Sequence, residues 1–139
     1  MRTNFKIKEN YAIQFEGHHI DLHNNFDFNG VWDNNEKNEI ALEFIKANGN
    51  WIKDEEFKQL TFLLKNVTFK YFEDGEAGDY PEDSKCLSDI TFFPSEFRDI
   101  NNNVTSEPIP KIDDDIIFLF QDGKIIRANC EEVEVIVKK

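Results

Sequence analysis

Near its carboxyl end the chain carries two apolar runs joined by an Asp-Gly pair: Ile116-Ile117-Phe118-Leu119-Phe120-Gln121-Asp122-Gly123-Lys124-Ile125-Ile126-Arg127-Ala128. Asp-Gly in this setting predicts a two-residue hairpin with a type I′ turn, because both central residues of that turn need positive φ. The pairs expected across the turn are Leu119 with Ile126, Ile117 with Ala128, Phe120 with Ile125, and Phe118 with Arg127. The first two pairs form an entirely apolar face, which indicates antiparallel β-structure over a buried core.

Alternation of apolar and polar residues continues outward from this hairpin through much of the chain. Its apolar positions are Tyr11, Ile13 and Phe15; Ile20, Leu22, Phe26 and Phe28; Ile40, Leu42 and Phe44; and Val133, Val135 and Val137. Between residues 19 and 28 the opposite face is polar, with His19, Asp21, His23, Asn25 and Asp27. A period of two is typical of strands with one buried face, so these segments are predicted strands, with a turn at Gly17-His18.

One segment of the chain fits two patterns. Asp54 could cap a short helix that begins at Glu55, whereas the apolar spacing over residues 60–64 also fits a strand. Residues with high β-propensity continue over 67–72, which favours one helical turn followed by a strand. A second short helical turn is predicted at residues 94–97.

Length and composition predict one globular domain over residues 1–139. The chain has 139 residues, of which 40% are hydrophobic. A chain of this length can bury a core without disulfides or a metal. Roughly nine or ten strands joined by turns are typical of sandwiches and barrels. The predicted fold class is therefore all-β: an antiparallel β-sandwich or partly closed barrel with one or two short helical turns.

The chain is strongly acidic, with 28 Asp and Glu against 16 Lys and Arg and a formal charge of −12. Binding to a phosphate backbone needs clustered cations that displace condensed counterions, so neither nucleic acid nor an anionic membrane is an expected partner. Net charge bears on solubility and association rather than on fold. Two interpretations stay open: a surface that keeps the protein soluble, or one that attracts a basic protein.

Two predicted loops concentrate the negative charge. Residues 73–83 hold six carboxylates and no cation, and residues 101–115 end in three consecutive aspartates. Like charges at this density keep a segment solvated. The candidate partner-binding residues are Glu73, Asp74, Glu76, Asp79, Glu82, Asp83, Asp113, Asp114 and Asp115.

Residues 25–36 resemble the calcium loop of an EF-hand. Side-chain oxygens stand at the first, third, fifth and ninth positions, with glycine at the sixth and glutamate at the twelfth. The candidate calcium ligands are Asp27, Asn29, Asp33 and Glu36. However, Asn25 replaces the usual first aspartate, and the segment before it alternates like a strand where the motif needs a helix. A polar hairpin loop is therefore the favoured interpretation.

We predict no catalytic residues and no cofactor. On a strand His19 and His23 would lie about 13 Å apart, too far to bind one zinc ion together. Cys86 has no informative neighbours, and a carboxylate such as Glu131 beside Cys130 raises a thiol pKa. We expect all three histidines to face solvent and both cysteines to be structural, so the protein is predicted not to be an enzyme.

Two further features bear on location and on contact surfaces. Residues 1–8 lack the apolar region of a signal peptide, and no apolar run is long enough to span a membrane. We expect a cytoplasmic protein with reduced thiols. Trp32 and Trp51 flank predicted loops, where packing in or beside the core is favoured over a role as contact anchors.

Two stretches carry a resemblance to known proteins: the closing hairpin at 116–126 and Leu60-Thr61-Phe62-Leu63-Leu64-Lys65-Asn66-Val67-Thr68-Phe69. They resemble small, acidic, β-rich bacterial proteins, some of which are similar to the immunity proteins of polymorphic toxin systems. The resemblance implies a stoichiometric binder that occludes the active site of a toxin. The expected function is non-catalytic binding of a basic protein in the bacterial cytoplasm. The alternatives are a ligand- or calcium-binding β domain, an enzyme whose site is assembled from distant strands, and a self-associating module such as a homodimer.

Overall fold

A computed structural model describes residues 1–52 and 55–139. Their strands are β1 (Arg2–Thr3), β2 (Lys6–Lys8), β3 (Ala12–Phe15), β4 (His18–Asp21), β5 (Phe26–Asn34), β6 (Glu39–Lys46), β7 (Gln59–Glu73), β8 (Leu87–Pro94), β9 (Asp114–Phe120) and β10 (Ile125–Lys138). Their helical elements are α1 (Leu22–Asn25) and the 3₁₀ turns Asn50–Ile52, Pro81–Lys85 and Ser95–Phe97. The prediction of an all-β fold is confirmed.

The strands form one large and one small sheet. The large sheet has the order β5-β6-β7-β10-β9-β8 and is antiparallel, with β1 added in parallel to the second half of β10. The small antiparallel sheet has the order β2-β3-β4. The large sheet curls into a half-barrel, which agrees with the predicted partly closed barrel.

Both sheets contribute to one apolar core. The ring of Phe62 on β7 lies 5.2 Å from that of Phe118, 5.8 Å from that of Phe44 and 5.5 Å from that of Phe5, all edge to face. This ring geometry is favourable in itself, and burying each Phe contributes about 1.5–3 kcal/mol. Because Phe5 precedes β2, these contacts fix the small sheet onto the inside of the half-barrel.

The predicted strands are observed, except that a helical turn interrupts one of them. β3 and β6 lie where alternation placed them, and the alternating side chains of Ile40, Leu42 and Phe44 on β6 are buried. The predicted strand from residue 20 to 28 is broken by α1. The Asp21 side chain accepts a hydrogen bond from Asn24 N at 2.9 Å and so caps this turn. The chain therefore leaves the small sheet at β4 and enters the large sheet at β5.

The turn of the β9–β10 hairpin differs from the predicted one. The observed pairs are Ile125 with Leu119, Ile126 with Phe118, Arg127 with Ile117, and Ala128 with Ile116. Among the described loop residues only Gly123 has a positive φ, 89°, which fits a three-residue loop ending in a left-handed residue. The Asp122 side chain accepts from Lys124 N at 3.0 Å and stabilises this loop. Ile126 and Ala128 stay on the core face, but the one-residue shift moves Ile117 and Leu119 to the outer face of the sheet, where Ile117 pairs with Arg127.

β7 changes faces at a bulge. Val67 pairs with Cys130 and packs against the core, whereas Phe69, two residues on, lies on the outer face. There the guanidinium carbon of Arg98 lies 3.7 Å from the centre of the Phe69 ring. Residues 67–72 are thus a strand, as predicted. However, the bulge places Phe69 on the outer face of the sheet, opposite to the face of Val67.

The predicted helical turns are half right. The turn at 94–97 is confirmed as the 3₁₀ turn Ser95–Phe97. The turn predicted to begin at Glu55 is wrong, since residues 55–57 adopt no helical structure and the observed turn is Asn50–Ile52. Its predicted cap, Asp54, lies outside the described residues.

Both tryptophans are on the surface. Trp32 is 53% exposed and Trp51 is 70% exposed, so neither belongs to the core. The indole N–H of Trp51 donates to Asn24 O at 3.0 Å. Trp32 lies beside Val31 on β5, and the two side chains point to opposite faces of the sheet.

Candidate binding surface

The acidic loop (residues 73–83) begins at the last residue of β7 and lies against the β9–β10 hairpin. Glu76 N donates to Asp122 O at 2.9 Å. A Cβ on Gly75 would collide with the Asp122 side chain, so glycine permits this close approach. The loop ends in the 3₁₀ turn Pro81–Lys85. These contacts hold the acidic loop in a defined position.

The carboxylates of the acidic loop face solvent. The exposed ones are Glu73, Asp74, Glu76, Asp79 and Glu82, and Asp83 is half-buried. Within the described parts of the chain, none of the six forms an ion pair. The loop therefore presents negative charge that forms no ion pair with the cations of residues 1–52 and 55–139.

A groove opens beside the acidic loop, between β5 and the neighbouring ends of β7 and β10. Its volume is about 380 Å³, at the lower end of the about 300–1,000 Å³ typical of ligand sites. The side chains of Phe28 and Ile126, which belong to the main core, form its floor, and Ile125 also lines it. Val31 and Phe72 form its walls and are 37% and 41% exposed. The groove is thus an apolar concavity that is open to solvent.

The rim of the groove carries charge. Its charged residues are Asp33, Glu73, Asp74 and Lys124. The Lys124 ammonium donates to Ser84 O at 3.1 Å and lies over the Phe28 ring, so internal contacts occupy it. Glu73 and Asp74 have no such cation among the described residues. The groove therefore combines an apolar floor with a negative rim, and it adjoins the rest of the acidic loop.

The second predicted acidic segment, Asp113 to Asp115, is not a charged surface. Asp113 is exposed, but Asp114 and Asp115 are only 5% and 0% exposed. A partner cannot reach either buried carboxylate in this fold. The expectation that Asp114 and Asp115 bind a partner is corrected accordingly.

Asp115 is instead the centre of a buried polar network on the outer face of the sheet. Its carboxylate accepts hydrogen bonds from Arg127 Nε at 2.8 Å, from Arg98 Nε and Nη2 at 3.0 Å each, and from Asn129 Nδ2 at 2.9 Å. Arg127 is fully buried and also donates to backbone carbonyls between residues 94 and 100. Burial would raise the pKa of Asp115, but the bonds from Arg98, Asn129 and Arg127 outweigh it, so the pKa is lowered. The network fastens the segment after β8 onto the sheet.

The EF-hand-like arrangement of residues 25–36 is not formed. Asp27, Asn29 and Asp33 lie on β5, and Asp27 and Asp33 are roughly 20 Å apart at strand rise. Asn29 donates to Glu43 at 2.7 Å. Among the described residues, no group of three or more His, Cys, Asp or Glu side chains is placed to hold a metal ion. Calcium binding through Asp27, Asn29, Asp33 and Glu36 stays a prediction from sequence.

The three histidines lie in two kinds of environment. His18 and His19 are exposed, as expected, and His18 Nδ1 lies 2.9 Å from a carboxylate oxygen of Glu56. His23 is half-buried, because α1 turns it inward. The expectation of a solvent-facing side chain is wrong for His23.

The fold brings His23 and Cys86 together, which the sequence did not indicate. Cys86 Sγ lies 3.5 Å from His23 Nδ1, but that nitrogen is 2.7 Å from Leu87 O and donates its proton there. Burial raises the pKa of the Cys86 thiol, and the carboxylates of Asp83 and Asp27 raise it further. An activated thiol needs a base that accepts its proton or a cation that lowers its pKa. This pair has neither feature.

We expect both thiols to react slowly with iodoacetamide in the folded protein. Burial raises the pKa of Cys130 to about 12, and the pKa of Cys86 is also raised, so neither supplies much thiolate at mildly alkaline pH. Mass spectrometry should show both sites modified much faster after denaturation, and His23→Ala should not slow Cys86. A native Cys86 that reacts faster than a free thiol and slows in His23→Ala would contradict this assignment.

No helix in residues 1–52 or 55–139 is long and apolar enough to cross a membrane. The chain matches no protein-family model, and no curated protein or solved structure resembles it significantly.

Sequence reasoning found the acidic loop but missed the groove beside it. A local signal was present, because Val31-Trp32 and Tyr71-Phe72 are adjacent apolar pairs within strands. Such a pair places one large side chain on each face of a sheet. Trp32 and Tyr71 leave the face of the core, whereas Val31 and Phe72 stay on it, opposite Leu42 and Ile126. Which pairs meet in one concavity depends on the curl of the sheet.

Proposed function

We propose that the protein is a non-catalytic binding protein whose acidic loop attracts and helps to seat a basic protein partner. The observation that carries the proposal is the set of six loop carboxylates, held against the hairpin and not paired with cations of the described chain. Such a field accelerates encounter with a positively charged surface and disfavours acidic competitors.

The specific role that we propose is that of an immunity protein that neutralises a toxin in the bacterial cytoplasm. The resemblance of residues 60–69 and 116–126 to small acidic β-rich bacterial proteins supports this role. A stoichiometric binder needs a surface complementary to the partner's active site rather than catalytic groups of its own. A basic active-site cleft, such as one that binds a phosphate-rich substrate, suits the charge of the acidic loop.

The test is affinity capture from the native cytosol with two matched variants. The loop variant carries Glu73→Gln, Asp74→Asn, Glu76→Gln, Asp79→Asn and Glu82→Gln. The control variant removes the same charge from exposed carboxylates elsewhere, with Glu9→Gln, Glu16→Gln, Glu36→Gln, Glu96→Gln and Asp99→Asn. Wild type and control variant should retain one basic protein in a one-to-one complex at low salt, and the loop variant should lose it.

A toxin identified in this way should stop growth when it is expressed alone and permit growth when it is co-expressed with the wild type. Growth rescue that is equally strong with the loop variant would contradict a role for the acidic loop. A captured protein whose activity the complex leaves unchanged would contradict the immunity role while leaving the binding role in place.

A further inference from the structure

We propose that the groove beside the acidic loop receives an apolar side chain of the partner that is flanked by lysine or arginine residues. The inference rests on the proposed binding function and specifies the chemistry of the contact. It starts from Val31 and Phe72, two large apolar side chains that stand more than one-third exposed on opposite walls of one concavity.

The floor of the groove favours an apolar occupant. Phe28 and Ile126 belong to the main core, line the groove and are at most 8% exposed, so an entering side chain meets carbon atoms below it as well as at the walls. Desolvated pockets of this kind are where most of the binding energy of protein interfaces is concentrated. An apolar residue that fills the groove would also remove the exposed surface of Val31 and Phe72 from water.

The rim of the groove determines what flanks that apolar residue. Glu73 and Asp74 stand at the edge without a cation from the described chain, and the acidic loop continues the negative charge away from the groove. Lys124 Nζ lies 3.8 Å from Asp122 Oδ2, and Asp33 is bound by Lys70 Nζ at 2.8 Å, so each of these two charges has a partner of opposite sign within the protein. A cation next to the apolar residue would therefore pair with Glu73 or Asp74.

Charge excludes a second copy of this chain as the preferred occupant. Two molecules with a formal charge of −12 repel each other, most strongly where their acidic loops would approach. A partner segment with an apolar residue between cations can fill the apolar part of the groove and pair with the negative rim at the same time.

The experiment uses the full chain and a pentapeptide of sequence Lys-Lys-Phe-Lys-Lys, with amide chemical shifts and calorimetry as readouts. Two control peptides replace the Phe with Ser or the lysines with Glu. We expect the first peptide to shift the amides of residues 28–33, 72–74 and 124–126. The Ser peptide should bind at least about tenfold more weakly, because it lacks the apolar anchor, and the Glu peptide should not bind.

Adjacent residues on β5 supply matched variants. Val31→Ser and Phe72→Ser should each weaken binding of the Phe peptide about tenfold, whereas Trp32→Ser, on the opposite face, should change it less than about twofold. Equal affinity for the Phe and Ser peptides, shifts confined to other surfaces, or equal losses in Val31→Ser and Trp32→Ser would overturn the proposal. The proposal would also be overturned if light scattering showed a dimer that the Val31→Ser substitution dissociates, because a second copy of the chain would then occupy the groove.

The partner from affinity capture separates failure of the groove from failure of the proposed function. If it binds Val31→Ser and Phe72→Ser as tightly as wild type, the groove assignment is overturned and the binding function stands. If the Phe peptide binds as described while no basic protein is captured, the groove assignment stands and the proposed function fails.

Discussion

Asp115→Asn is expected to lower the free energy of unfolding by about 3–5 kcal/mol, the usual cost of removing one partner from a buried ion pair. The substitution keeps the size of the side chain but removes the charge that compensates the fully buried Arg127. Asparagine also brings an N–H₂ group to a position where Asp115 accepts bonds from Arg98, Arg127 and Asn129. Urea denaturation, followed by circular dichroism, measures the loss.

The neighbouring residue provides the control. Asp114 is also buried, but its carboxylate accepts from the backbone N–H of Lys111 at 2.8 Å, a bond that an asparagine oxygen can also accept. Burial raises the pKa of Asp114, so its charge is unfavourable in the folded state. Asp114→Asn should therefore leave stability at neutral pH unchanged or raise it. Similar losses in both variants would show that the network around Asp115 is not the cause.

The two aspartates should also differ in their pH dependence. The folded pKa of Asp115 is lowered, so its stabilising contribution is present above the unfolded value near about 3.9 and is lost as pH falls through the folded pKa. The folded pKa of Asp114 is raised, so its contribution is full below the unfolded value and is lost as pH rises through the folded pKa. The deficit of Asp115→Asn should shrink on acidification below about pH 4, while any advantage of Asp114→Asn is confined to higher pH.

The parts of the fold that sequence predicts well are those governed by one buried face. β6 follows its alternation from Glu39 to Lys46 because Ile40, Leu42 and Phe44 all contact the same core. The hairpin shows the limit of this reasoning. Asp-Gly suits more than one loop, and the bond from Lys124 N to Asp122 accompanies the three-residue form.

The error in hairpin register also hid the buried network. In the predicted register Arg127 stands opposite Phe118 and away from Ile117, whereas the observed pairing with Ile117 places it on the face of Asp115. Three consecutive aspartates therefore looked like one solvated surface, although two of them are buried. The groove could not be predicted from the sequence either. Its walls come from β5 and β7, and only the curl of the sheet brings Val31 near Phe72.

The charge of the acidic loop should set the speed at which the partner binds. In the loop variant, with amides at residues 73, 74, 76, 79 and 82, the association rate constant at low salt should fall about tenfold or more, the lower end of measured electrostatic steering. Long-range attraction acts before contact, so the dissociation rate constant should change much less than the association rate constant. Stopped-flow mixing of the captured partner with each variant measures both constants.

Salt provides the independent check on this mechanism. Added salt should slow association of the wild type steeply, because the Debye length shortens from about 30 Å at 0.01 M to about 8 Å at 0.15 M. The loop variant should respond weakly, and the control variant, which has the same net charge, should keep most of the wild-type response. If the two variants behave alike, net charge rather than the acidic loop governs association, because only the position of the removed carboxylates distinguishes them.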